Sequence, residues 1–72
     1  MEVKLKDPET LLNLLKTPGL DVGEKYKAIF ELKAWANEQS KKYLIESFNH
    51  LDDSELLKHE VAYALGFFTN TI

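Results

Sequence analysis

Apolar residues recur at helical spacing in four runs along this 72-residue chain. The first run is Leu11, Leu12, Leu14 and Leu15. Asp7 followed by Pro8 reads as an N-cap with proline at the first helical position. Pro18-Gly19 breaks the pattern, so this helix is expected to stop near Thr17. The second run, Tyr26, Ile29, Phe30 and Lys33, follows the i, i+3, i+4, i+7 ladder, although its lysine leaves the stripe imperfect. Asp21 and Glu24 have capping-box spacing and introduce a helix over about residues 22–36. Residues 37–40 read as the next break. A third helix over about residues 41–50 offers Leu44, Ile45 and Phe48, with Leu51 beyond it. Asp52 or Ser54 caps a fourth, over about residues 54–69. Its stripe of Leu57, Val61, Ala64, Leu65 and Phe68 has clean helical periodicity.

A shift of 33 residues overlays the two halves. Leu11 and Leu12 fall on Leu44 and Ile45, and Leu15 falls on Phe48. Asp21 falls on Ser54, so the caps coincide. Lys25 falls on Lys58, Phe30 on Tyr63, Leu32 on Leu65 and Trp35 on Phe68. Stacked helical hairpins have such a period. The Trp, Gly and Pro positions of tetratricopeptide repeats are not met, which favours a HEAT-like pair. The expected fold is all-α: two tandem HEAT-like helical hairpins, four helices, a short α-solenoid segment. One domain covers residues 1–72, with repeat 1 at about 7–37 and repeat 2 at about 40–72. Solenoids are stable by stacking, and about three or more repeats are normally needed. Two repeats leave an open end, with Phe67, Phe68 and Ile72 expected near it. Either further repeats or self-association into an oligomer would cover that surface.

Composition narrows the function classes. A core of this size is marginal unless helices pack well or chains associate. Cysteine is absent, which excludes disulfides and cysteine-based zinc sites and is compatible with the expected cytoplasmic location. The N-terminal MEVKLKDPET holds no long apolar run, so no signal peptide is expected, and no stretch approaches the ~20 apolar residues of a membrane span. Net charge is −3, and all nine basic residues are lysines. Without arginine there is no bidentate grip on phosphate. Lys41-Lys42 is the one adjacent basic pair, which argues against nucleic acid as a partner.

The candidate chemistry lies in LLKHEVAYALG, residues 56–66. His59 and Glu60 stand where the first repeat has Tyr26 and Lys27, so the pair is specific to the second repeat. A zinc-protease helix would need H-E-x-x-H, and Tyr63 occupies the place of its second histidine. If Leu57 marks the core direction, His59 points well away from it. Glu60 then lies at the core's other shoulder, beside Ala64 and near Phe67. His59 shares its strip with Tyr63, between the small residues Ala62 and Gly66. Adjacent residues on a helix do not face each other. One pair therefore supplies at most two ligands, where zinc needs about four and octahedral iron about six. His50 precedes the turn and is badly placed to join His59. Ser40, Ser47 and Ser54 have no base at readable spacing, and Gly19, Gly23 and Gly66 form no phosphate loop. On residue types alone, the pair reads as ordinary surface chemistry.

The run DDSELLKHEVAYALG, residues 52–66, nevertheless resembles the first His-Glu repeat of the deoxyhypusine hydroxylase family. KYKAIFELKAW, residues 25–35, and the apolar helix between resemble that family's N-terminal start. HEAT-like phycobilin-lyase repeats look similar but do not call for this pair. The resemblance implies a superhelix of HEAT-like repeats in which four His-Glu dyads hold two irons. It implies a monooxygenase of hypusine biosynthesis that hydroxylates deoxyhypusine on translation initiation factor 5A, using dioxygen. His59 then corresponds to an iron ligand, and Glu60 to a ligand or a carboxylate facing the site. A first repeat without a dyad suits the family. One dyad in place of four does not, and neither does Phe67, where the family often has glutamine after LG. The expectation is the N-terminal quarter of such an enzyme, inactive alone. The alternative is a non-catalytic HEAT-like module for protein binding or oligomerisation.

Overall fold

The computed structural model describes residues 4–51 and 54–70. Among them are four helices and no strand: α1 (Pro8–Leu15), α2 (Val22–Trp35), α3 (Glu38–Phe48) and α4 (Glu55–Asn70). The fold is all-α and HEAT-like. α1 and α2 form one hairpin, α3 and α4 the next. The hairpins stack side by side, α1 against α3 and α2 against α4, while α2 also touches α3.

The helix starts follow local chemistry. Pro8 opens α1, but the Asp7 carboxylate accepts from the Thr10 hydroxyl rather than from the backbone. Asp21 caps α2 through the Gly23 amide at 3.0 Å, in place of the expected capping box with Glu24. The capping box belongs to α3. Asn37 Oδ1 accepts from the Ser40 amide, and Ser40 Oγ accepts from the Asn37 amide. This is why α3 begins at Glu38, three residues before the expected start: the stretch read as a break is itself a cap. Ser54 Oγ accepts from the Leu57 amide at 3.3 Å and caps α4; Asp52, the other candidate, lies outside the described residues. α2 ends on Ala36, which takes a left-handed conformation (φ 51°) usually left to glycine.

The core contains Leu11 and Leu15 of α1, Ala28, Ile29 and Leu32 of α2, Leu44 of α3, Leu51 of the connection, and Leu57, Val61, Ala64 and Phe68 of α4. α4 buries the stripe its periodicity predicts, with Leu65 partly covered. α1 buries Leu11, Leu12 and Leu15 of its expected run, whereas α2 and α3 correct theirs. On α2 the buried face is Lys25, Ala28, Ile29 and Leu32, while Tyr26 and Phe30 are exposed. On α3 the buried face is Ser40, Leu44 and Ser47, while Ile45 and Phe48 are exposed. The serines can face inward because their hydroxyls are satisfied within their own helix. Ser47 Oγ donates to the Leu44 carbonyl at 2.8 Å, and Ser40 Oγ to the Asn37 carbonyl at 2.9 Å. Their small side chains leave room for the neighbouring leucines. Phe68 belongs to the core rather than to an open end, and Ile72 lies outside the described residues.

Candidate metal centre

α4 carries His59 and Glu60 in its second turn, and the two side chains open to different sides. Successive residues on a helix are about 100° apart. His59 is exposed and lines a shallow groove with Glu55, Lys58 and Ala62 of α4 and Phe48 of α3. Glu60 is half-buried on the α2 side, in a groove with Tyr63 and Ala64 and with Tyr26, Ile29, Phe30 and Lys33 of α2. The expected neighbours of Glu60 are thus correct for Ala64. For His59 they hold for Ala62, whereas Tyr63 lines the other groove, with Glu60.

The Glu60 groove explains Lys33, the misfit in the second stripe. Its ammonium lies 5.4 Å from the Tyr63 ring centroid and 5.1 Å from that of Phe67. Phe67 in turn packs edge-on against Phe68 at 5.8 Å. A lysine at this place ties α2 to α4 through two aromatic faces. Nothing in the lysine's spacing alone announced this, because the partners lie 30 and 34 residues further along the chain. On the His59 side Lys58 stands over the Phe48 ring at 5.5 Å.

Two metal-ligand residue types are therefore present, an imidazole open to solvent and a carboxylate in an interhelix groove. His50, the other histidine, is exposed beyond the end of α3. Among the described residues no three His, Cys, Asp or Glu side chains are grouped to hold a metal ion. No described helix is long and apolar enough to cross a membrane.

No protein-family model and no solved structure matches this chain. Curated proteins do. The chain is 46% identical over 59 residues to deoxyhypusine hydroxylase of Candida albicans, 71% of this chain and 18% of that protein. The corresponding figures are 42% over 59 residues for Cryptococcus neoformans, 81% and 16%. For Danio rerio they are 34% over 61 residues, 85% and 19%. This chain is related to the deoxyhypusine hydroxylase family. It spans under a fifth of the length of these deoxyhypusine hydroxylases. The Danio rerio match is also long enough to locate. A stretch of 61 residues within 72 takes in residues 12–61 wherever it starts, and so includes His59 and Glu60.

The kinship implies iron, and the donor types of α4 fit it. Imidazole and carboxylate suit non-haem iron, and an exposed imidazole on an open helix edge can be approached. The number of donors falls short. One helix contributes two, on different sides, and an iron ion needs more than that from protein and solvent together.

Proposed function

We propose that this chain is the N-terminal HEAT-like segment of a protein of the deoxyhypusine hydroxylase type, and that it supplies one of that protein's His-Glu iron-binding pairs. The observation that carries this reading is the similarity to deoxyhypusine hydroxylases across the stretch that includes His59 and Glu60. In this reading the complete protein hydroxylates deoxyhypusine on translation initiation factor 5A in the cytoplasm, and bound iron supplies the activation of dioxygen. The segment alone is inactive.

The two residues divide the task. Glu60 shares its groove with Tyr26, which stands at the repeat position of His59. The Glu position of one hairpin therefore faces the His position of the hairpin before it. Here the earlier hairpin offers a tyrosine, so Glu60 has no imidazole to join. His59 faces outward, where a following hairpin would place its own carboxylate. His59 is the ligand, and Glu60, which opens to the α2 side, is the carboxylate of the pair that lacks an imidazole opposite it in this chain. A HEAT-like module without catalysis is the second reading, favoured by the shortage of donors in the described residues.

A chimera separates the two. The matched segment of the Candida albicans relative is replaced by this chain, and iron content and deoxyhypusine hydroxylation are measured. The proposal expects an active, iron-loaded chimera that loses both properties on His59→Ala and keeps part of its iron on Glu60→Gln. A folded chimera whose iron content is indifferent to His59→Ala would establish the non-catalytic reading instead.

A further inference from the structure

Two grooves run along α2, and they share a wall. The inner groove lies against α4 and holds the Glu60 carboxylate, with the buried Ile29 and Ala64 in its lining. The outer groove has no α4 residue; Lys4 and Leu5, ahead of α1, line it with Lys27 and Glu31 of α2. Tyr26 and Phe30 line both grooves. Four residues apart, the two rings stand on one ridge of the helix. They are 44% and 64% exposed, so close packing locks neither of them. The inner groove has a volume of about 180 Å³ and the outer about 400 Å³, which leaves room for a ring to lean either way.

The outer groove exists because the segment ahead of α1 is tied to α2 at two points. The Lys6 amide donates to Glu31 Oε1 at 2.9 Å, and the Trp35 indole donates to the Lys6 carbonyl at 2.7 Å. Both backbone groups of one residue are thus committed to two side chains a turn apart on α2. This holds the half-buried Leu5 beside Tyr26 and Phe30. The rings then have apolar neighbours on both sides, Leu5 outward and Ile29, Tyr63 and Ala64 inward.

An aromatic side chain on a helix has two χ1 wells, near 180° and −60°. With Leu5 in place, burial is on offer to either side. With Leu5 gone, the outer side is water, and burial is gained only inward. We propose that residues 4–6 are a strap that holds Tyr26 and Phe30 off the inner groove, and that its release lets the two rings close over Glu60. The strap governs how much room the Glu60 carboxylate has without touching it, since neither anchor, Glu31 or Trp35, lines the inner groove. The device concerns the width of the groove and does not rest on the iron reading.

Nuclear magnetic resonance on the labelled, metal-free chain tests this. Trp35 is the one tryptophan, so its indole N–H gives a single resonance. Glu31→Ala removes the acceptor of the Lys6 amide and is expected to speed exchange of the Trp35 indole proton at least about 3-fold. Trp35→Phe removes the other tie and is expected to speed exchange of the Lys6 amide by a like factor. In both variants the Overhauser contacts from the Tyr26 and Phe30 rings to the Ala64 methyl strengthen. Lys27→Ala, which alters the outer groove but neither tie, leaves them unchanged. A freed strap with unchanged or weaker contacts to Ala64 would overturn the proposal. So would a strap that neither variant frees, or contacts that strengthen equally in Lys27→Ala. Failure here leaves the chimera result untouched, because that test reads iron and activity and this one reads neither.

Discussion

α2 and α4 hold equivalent places in their hairpins, yet their surroundings differ on one side. α2 is flanked by α4 on one edge and by the N-terminal segment on the other. α4 is flanked by α2 on one edge alone among the described elements. The same position consequently has two fates. Tyr26 lines the groove between helices, whereas His59 stands on the free edge. A ligand at that position is at the boundary between one repeat and whatever follows it. The iron site proposed for His59 would by this geometry be shared between units, in keeping with the shortage of donors among the described residues.

The sharpest way to break this comparison is to remove matched side chains from the covered and the bare edge. Leu15→Ala empties a fully buried site and is expected to cost about 2–5 kcal/mol in urea unfolding. Phe48→Ala, its counterpart 33 residues on, removes a partly exposed ring and is expected to cost about 1 kcal/mol or less. Equal losses would mean that the two edges are not the covered and bare versions of one surface.

Much of this asymmetry was hidden in the sequence for a physical reason. Periodicity finds an apolar stripe but not what lies against it. On α4 the stripe and the buried face agree, because Leu57, Val61, Ala64 and Phe68 all point at one core. On α2 and α3 the apolar residues outnumber the places in the core, and the surplus faces sideways. Tyr26 and Phe30 therefore drew the expected stripe one position away from Lys25, Ala28 and Leu32. Ser40 and Ser47 were invisible as core residues because their burial depends on hydrogen bonds inside α3. Of the site, the outward direction of His59 was legible from the wheel. The separation of His59 and Tyr63 into different grooves was not, since it depends on where α2 and α3 pack.

A smaller effect tests the join between the two regions. Ala36 links the hairpins from a left-handed conformation that costs an L-residue roughly 1–2 kcal/mol. Ala36→Gly relieves this and is expected to stabilise the chain by about 1 kcal/mol after the added chain entropy of glycine. No gain in urea midpoint would mean that the turn carries no strain. Smaller again is Lys33→Met, which keeps the packing of the stem but removes the charge over Tyr63 and Phe67. A loss of about 0.5–1 kcal/mol is expected, and it should vanish when Tyr63 is already leucine and Phe67 is also leucine. An undiminished loss in that background would assign the lysine to something other than the rings.

The smallest expected effect bears most directly on what separates α4 from α2. His59 is exposed and takes part in no core contact, so His59→Ala is expected to change the unfolding free energy of the metal-free chain by no more than about 0.5 kcal/mol. Tyr26→Ala, at the matched position of α2, removes a ring that lines the groove between helices and should cost more. The order of the two losses is the informative quantity. If His59→Ala costs as much as Tyr26→Ala, the imidazole is part of the packing and its place on the edge needs no ligand to explain it. If it costs nothing, the histidine is kept at an edge where the fold gains nothing from it. That outcome is the one the proposed ligand role across that edge requires.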